Sequence, residues 1–176
     1  MKLVLTAIVA FMALGIVSGS STAQAAPSRP PLHCTGSNSV WDDTDIVHLT
    51  KEGAGTLNLA WRARGHTTLD CGTGNPLTGK TARIEQQVDA HVHDGTVRGR
   101  AQTRIAIGDH NLLFTGNFTG TTTVNDGVLT LHGDYNADGH VDGSDYAMLM
   151  RQAGTLDLGS RHWTSLNIIG VLIDAG

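Results

Sequence analysis

Residues Gly133 to Gln152 read GDYNADGHVDGSDYAMLMRQ, a stretch dense in hard oxygen donors. A calcium ion takes six to eight oxygen ligands, and a chain wrapped around it turns alternate side chains inward. Asp134, Asn136 and Asp138 fall at positions 1, 3 and 5 of a twelve-residue loop of this kind. Gly139 falls at position 6, where the chain must turn sharply. The backbone carbonyl of His140 takes position 7, Asp142 position 9 and Asp145 position 12, while Val141 at position 8 tacks the loop onto a core. Four carboxylates this close repel one another unless a cation lies among them. The chemistry expected is calcium binding by Asp134, Asn136, Asp138, His140, Asp142 and Asp145.

EF-hand loops close with a bidentate Glu at position 12, whereas here the residue is Asp145. In that respect the segment resembles one half of a type I dockerin repeat, in which Asp closes the loop and a helix follows without a preceding one. The resemblance spans about 20 of the 176 residues. It implies bound calcium, a short helix from Asp145 to Gln152 ahead of Gly154, and Leu149 at an apolar core position. It also implies partner contacts at Ser144 and Arg151, with Gly143 at the neighbouring contact position. Dockerins carry two such repeats and this chain has one. A single loop has no paired hand to open, so calcium is expected as a structural clip rather than a signal.

Other constellations are weaker. His91 and His93 lie two apart on an expected strand and so share a face, half of a zinc site that needs a third ligand. A two-residue turn at Asp94-Gly95 puts Arg98 opposite His91, a poor neighbour for a cation. Asp42, Asp43, Asp45, Glu85, Asp89 and Asp109 supply carboxylates, but no spacing marks a pair for glycoside hydrolysis. No Gly-x-Ser-x-Gly elbow and no glycine-rich phosphate loop occurs. Trp41, Trp61 and Trp163 could stack on sugar rings, although Trp61 lies on an apolar stripe that reads as core.

The elements that must carry these residues are mostly strands. Leu57, Leu59, Trp61 and Ala63 alternate with Asn58, Ala60 and Arg62, the period-two pattern of a half-buried strand. Gly72 to Gly79 reads as a loop. Ile84–His93, Thr96–Ile107, Leu112–Val124 and Val128–His132 then form a meander. They are separated by Asp94-Gly95, Gly108–Asn111 and Asn125-Asp126-Gly127. Thr155–Leu158 and Leu166–Ile173 are the last strands. The latter is nearly continuous in apolar residues and is expected as a central strand buried on both faces, with Gly170 marking a bulge or a close backbone approach. Abundant Thr and Val and only two glutamates, Glu52 and Glu85, fit strands better than helices.

The first residues carry an address. Lys2, an apolar run from Leu3 to about Val17, and Ala23-Gln24-Ala25 ahead of Ala26-Pro27 make a secretory signal peptide. The run falls short of the ~20 residues of a spanning helix, so no membrane span is expected after cleavage. An exported chain meets an oxidising compartment, where the lone pair Cys34 and Cys71 is expected to form a disulfide. Beyond Lys2 the chain holds 11 basic residues against 16 acidic ones, and no run of them makes the basic patch of a nucleic-acid surface.

These readings give a signal peptide at 1–25, an extended leader at 26–40, and one β-rich domain at 41–176 holding the calcium loop-helix 134–153. The fold class expected is all-β, an antiparallel sandwich or small barrel, with an inserted calcium loop and one short α-helix. The function expected is that of a secreted or surface-associated, noncatalytic, calcium-clipped binding module for a carbohydrate or protein ligand. The alternatives are a dockerin-like assembly module and a secreted hydrolase with an unmarked site.

Overall fold

The computed structural model describes residues 33–53, 55–141 and 144–175. The signal peptide, the leader up to residue 32, and Asp142 with Gly143 lie outside the described residues.

The chain runs through eight strands: β1 (His33–Lys51), β2 (Thr56–Asp70), β3 (Thr81–His93), β4 (Thr96–Ile107), β5 (His110–Asn125), β6 (Val128–Val141), β7 (Ser144–Asp157) and β8 (His162–Ala175). Each pairs antiparallel with its neighbours in order, and β1 meets β8 to close a barrel. β1 starts inside the stretch expected as leader. Connections among the described residues therefore alternate between two ends: β1–β2, β3–β4, β5–β6 and β7–β8 at one, β2–β3 and β4–β5 at the other, where β6 also ends and β7 begins.

Alternation produces this closure. Along β3 every second residue is buried, so Ala82, Ile84, Gln86, Val88, Ala90 and Val92 face inward while Arg83, Glu85, Gln87, Asp89 and His91 face out. The same holds in β2, where Leu57, Leu59, Trp61 and Ala63 lie inside. Trp61 meets Phe118 and Trp163 edge to face, with centroids 5.3 and 5.6 Å away. Small and large inward residues complement each other: a Cβ on Gly133 would collide with the Phe118 ring.

The hairpin signals have direct counterparts. Asp94 and Gly95 (φ 46° and 75°) and Asp126 and Gly127 (φ 49° and 81°) place two successive left-handed residues between strands, as the tight two-residue turn requires. At the β7–β8 turn Asp157 accepts from the amides of Ser160 (2.9 Å) and Gly159 (2.8 Å), which holds its carboxyl below the usual range.

Three expectations are corrected. No helix follows Asp145: residues 144–157 are β7, paired throughout with β6 and with β8 from Tyr146. Ala147, Met148, Leu149, Met150, Arg151 and Gln152 are good helix formers, but propensity is a weak prior. As a strand, the segment puts Met148, Met150 and Gln152 in the core and satisfies two ladders; a helix would leave β6 paired on one side only and β8 with just its short pairing to β1. Nor is the calcium segment an inserted loop, because Asp134 to Val141 is the second half of β6. β8, expected to be buried on both faces, is buried on one, as a barrel strand must be. Arg151 pairs with Gly170 and Gln152 with Ile168, so Ile169 is the extra residue of a bulge and is 58% exposed. Nothing approaches Gly170 closely, so the bulge alone accounts for it.

Two polar groups are built into the interior. Gln152 Nε2 donates to Gln86 Oε1 (2.6 Å), and Gln86 Nε2 donates to Thr103 Oγ1 (3.2 Å). The Tyr135 hydroxyl lies 3.1 and 3.0 Å from the carbonyls of Ala101 and Phe114, to which it donates. Burial pushes its phenol up to about 12, against hydrogen bonding from Thr103.

Candidate functional site

The β6–β7 hairpin sets the positions of the expected calcium ligands. Its register pairs Asp134 with Arg151, Asn136 with Leu149, Asp138 with Ala147 and His140 with Asp145. Asp134, Asn136, Asp138 and His140 therefore point outward from one strand in steps of ~7 Å, and Asp134 lies ~13 Å from Asp138 along it. In this arrangement they do not converge on one ion. Asp134 is instead engaged by Arg151, whose Nε donates to Oδ1 at 2.8 Å and whose own pKa rises through that bond and the adjacent charge. Among the described residues no group of three metal-ligating side chains is close enough to hold an ion.

The distal half of the hairpin is different. Asp138, His140 and Asp145 border one open dent of about 650 Å³ with Tyr146 and Asp174, and Ala147 lies between them. Ala147 pairs with Asp138 on one side and Asp174 on the other, so its small side chain leaves the depression between two carboxylates. His140 Nδ1 lies 2.7 Å from Asp145 Oδ1, and His33 Nδ1 lies 3.8 Å from Asp174 Oδ1. The loop template missed Asp174, because it arrives on β8 from 29 positions beyond Asp145.

The opposite end carries a cavity that no motif announced. Lys51, Leu57, Val92, Thr122, Val124 and Leu158 line a hollow of about 360 Å³ at the barrel mouth, with glycines 53, 55 and 95 around the rim. That volume is within the range of small-molecule sites, and barrel mouths are recurrent places for them. Its residues come from β1, β2, β3, β5 and the β7–β8 turn, each contributing one or two. Below it the aromatic group of Trp61, Phe118 and Trp163 fills the barrel interior.

The remaining candidates resolve into structure. His91 and His93 stack with centroids 6.3 Å apart, and each has a polar partner: Asn58 Oδ1 at 2.7 Å from His91 Nδ1, and Thr56 Oγ1 at 3.0 Å from His93 Nδ1. Arg98 does lie opposite His91. Trp61 and Trp163 are buried and Trp41 packs against the core, so the tryptophans present no shared outward platform. The indole N–H groups of all three are buried without an acceptor. Cys34 and Cys71 are joined in a disulfide.

No protein-family model matches the chain, and neither the curated proteins nor the solved structures contain a match to it.

Proposed function

We propose that the chain is an exported, noncatalytic binding module whose barrel takes a small, largely apolar ligand at its mouth. The observation that carries this reading is the cavity bordered by Leu57, Val92, Val124 and Leu158, with the Lys51 ammonium at its edge. Apolar walls supply affinity by excluding water, and one charged group at the rim orients a ligand with an acidic end. The Cys34–Cys71 disulfide fits the oxidising compartment that the leader implies. The barrel's polar exterior and apolar interior are the reverse of a membrane-spanning barrel, which turns an apolar band outward. Among the described residues no helix is long and apolar enough to cross a membrane.

The test is a titration with 1-anilinonaphthalene-8-sulfonate and with linear alkanoates of increasing length. Saturable one-to-one binding is expected, weakened about tenfold or more by Lys51→Glu/Val124→Glu, two exposed positions. Absence of saturable binding, or binding that ignores the substitutions, refutes a mouth site.

A second reading concerns calcium. The ligand spacing from Asp134 to Asp145 supports it; Asp138, His140, Asp145 and Asp174 border one dent, and binding there requires them to draw closer than they stand. The assembly-module alternative asks for Ser144, Met148 and Arg151 on one exposed face. Met148 is 2% exposed inside the barrel and Arg151 is tied to Asp134.

A further inference from the structure

Ten basic residues lie between His33 and Ala175, and six of them are arginines on three adjacent strands. Arg62 and Arg64 stand on β2, Arg83 on β3, and Arg98, Arg100 and Arg104 on β4, all exposed on the outward face. Against these six the same strands carry three acids, Asp70, Glu85 and Asp89. Strands β6 to β8 show the opposite balance among the described residues: Asp134, Asp138, Asp145, Asp157 and Asp174 against Arg151. The net charge of −4 hides a barrel with one basic side.

The register packs the basic side. Arg64, Glu85 and Arg104 form one row across three strands, and Arg62, Gln87 and Gln102 form the next. Two inter-strand spacings separate Arg64 from Arg104, about 10 Å, and Arg62 lies one row away at ~7 Å. Arg62, Arg64 and Arg104 border a shallow depression of about 240 Å³ together with the Glu85 carboxylate and the amides of Gln87 and Gln102, three guanidinium groups against one acid. Arg64 shares Glu85 at 3.8 Å, and among the described residues no other arginine of this face is in an ion pair.

We propose that the outward face of β2, β3 and β4 is a binding surface for an acidic polysaccharide. Guanidinium groups recognise carboxylate and sulfate through paired N–H donors, and side-chain amides beside them suit sugar hydroxyls. An extended chain with regularly spaced charges matches arginines held ~7 to 10 Å apart on a stiff sheet. Nucleic acid fits less well. The face presents no Phe, Tyr or Trp ring on which a base could stack, its imidazoles (His66, His91 and His93) are each engaged by a polar neighbour, and among the described residues no helix or ribbon stands out to enter a groove.

The experiment uses the mature protein with four probes: a heparin dodecasaccharide, an oligogalacturonate, neutral dextran and a dodecamer of thymidylate. Both acidic saccharides are expected to bind with an affinity that falls as salt rises, and dextran is not. Arg62→Gln/Arg104→Gln should weaken that binding about tenfold or more. Gln102→Glu, which sets a carboxylate among the arginines, should act in the same direction, while Arg161→Gln in the β7–β8 turn leaves binding unchanged. Equal binding by the double variant or by dextran overturns the proposal. Tighter binding of the thymidylate than of either acidic saccharide does so as well. Self-association at low salt that the same substitutions abolish would assign the face to a second copy's acidic side, and would also overturn it.

Discussion

The barrel closes through a short seam. β1 pairs with β2 along most of its length, from Thr35 to Lys51, but meets β8 only through His33–Gly36 against Val171–Asp174. Cys34 stands inside that seam, opposite Ile173, and its disulfide to Cys71 ties the start of β1 to the end of β2. The bonded residues are 37 apart. In the chain-entropy model, a loop of that size restricts the unfolded chain enough to stabilise the fold by about 4 kcal/mol. For a domain of this size each kcal/mol moves the melting point ~2–4 °C, so Cys34→Ala/Cys71→Ala should melt ~8–16 °C lower. Urea unfolding of both proteins gives the free energy directly, and amide exchange reports where it is lost. The seam amides of residues 171–174 should lose more protection than those of β4 and β5, which lie across the barrel. A loss below ~1 kcal/mol, or uniform loss of protection, would refute both the loop-closure argument and the seam's dependence on the clip.

The buried glutamines should behave as a unit. Gln86→Leu strands the Gln152 amide and leaves Thr103 without its donor, and should cost ~2–3 kcal/mol. Gln152→Leu removes an Oε1 that has no partner but leaves the buried Gln86 Oε1 without its donor, and should cost ~1–2 kcal/mol. The double variant should be more stable than the sum of the two losses by at least ~1 kcal/mol in urea unfolding; additivity within ~0.5 kcal/mol would dismiss the coupling. The calcium reading predicts a melting point several degrees higher with excess calcium than with chelator, and no such rise in Asp134→Ala/Asp138→Ala. Equal melts in both conditions for the unaltered protein sink it.

What was legible in the chain was local and periodic. Asp94-Gly95 and Asp126-Gly127 announced hairpins because few other dipeptides accept positive φ twice, and the expected strand Thr96–Ile107 coincides with β4. β1 was legible only in part: three register shifts against β2 break its alternation, leaving Val40 and Val47 exposed where a regular strand would bury one residue in two. β6 and β7 were misread because their outward aspartates and helix-forming residues satisfy a local template, whereas their strand state depends on β5 and β8 far along the chain. The mouth and the arginine face left no signal at all. Both are assembled by register from residues scattered over distant strands, and no contiguous window contains either.

The two roles open to residues 134–141 compete, and the competition can be sized. Wrapping a cation in the loop manner would pull Asp134, Asn136 and Asp138 together and break the pairing of β6 with β5 and β7. It would also draw out Tyr135, which is fully buried and hydrogen-bonded to two strand carbonyls. Losing a buried aromatic side chain costs ~3–5 kcal/mol. A site of extracellular strength, filled at ten times its dissociation constant, returns only ~1.4 kcal/mol. Such an ion cannot reshape the whole segment. On the calcium reading it would have to sit where no core side chain leaves, at the distal end, where Asp138, His140, Asp145 and Asp174 border one dent and would still have to draw together around it. Asp134, held by Arg151 and next to Tyr135, is then excluded from the ligand set. The single variants separate these cases: Asp138→Ala should abolish the calcium-dependent rise in melting point and Asp134→Ala should preserve it. If Asp134→Ala abolishes the rise as fully as Asp138→Ala, the segment does wrap the ion, and the hairpin yields to it at a cost far below the one reckoned from Tyr135.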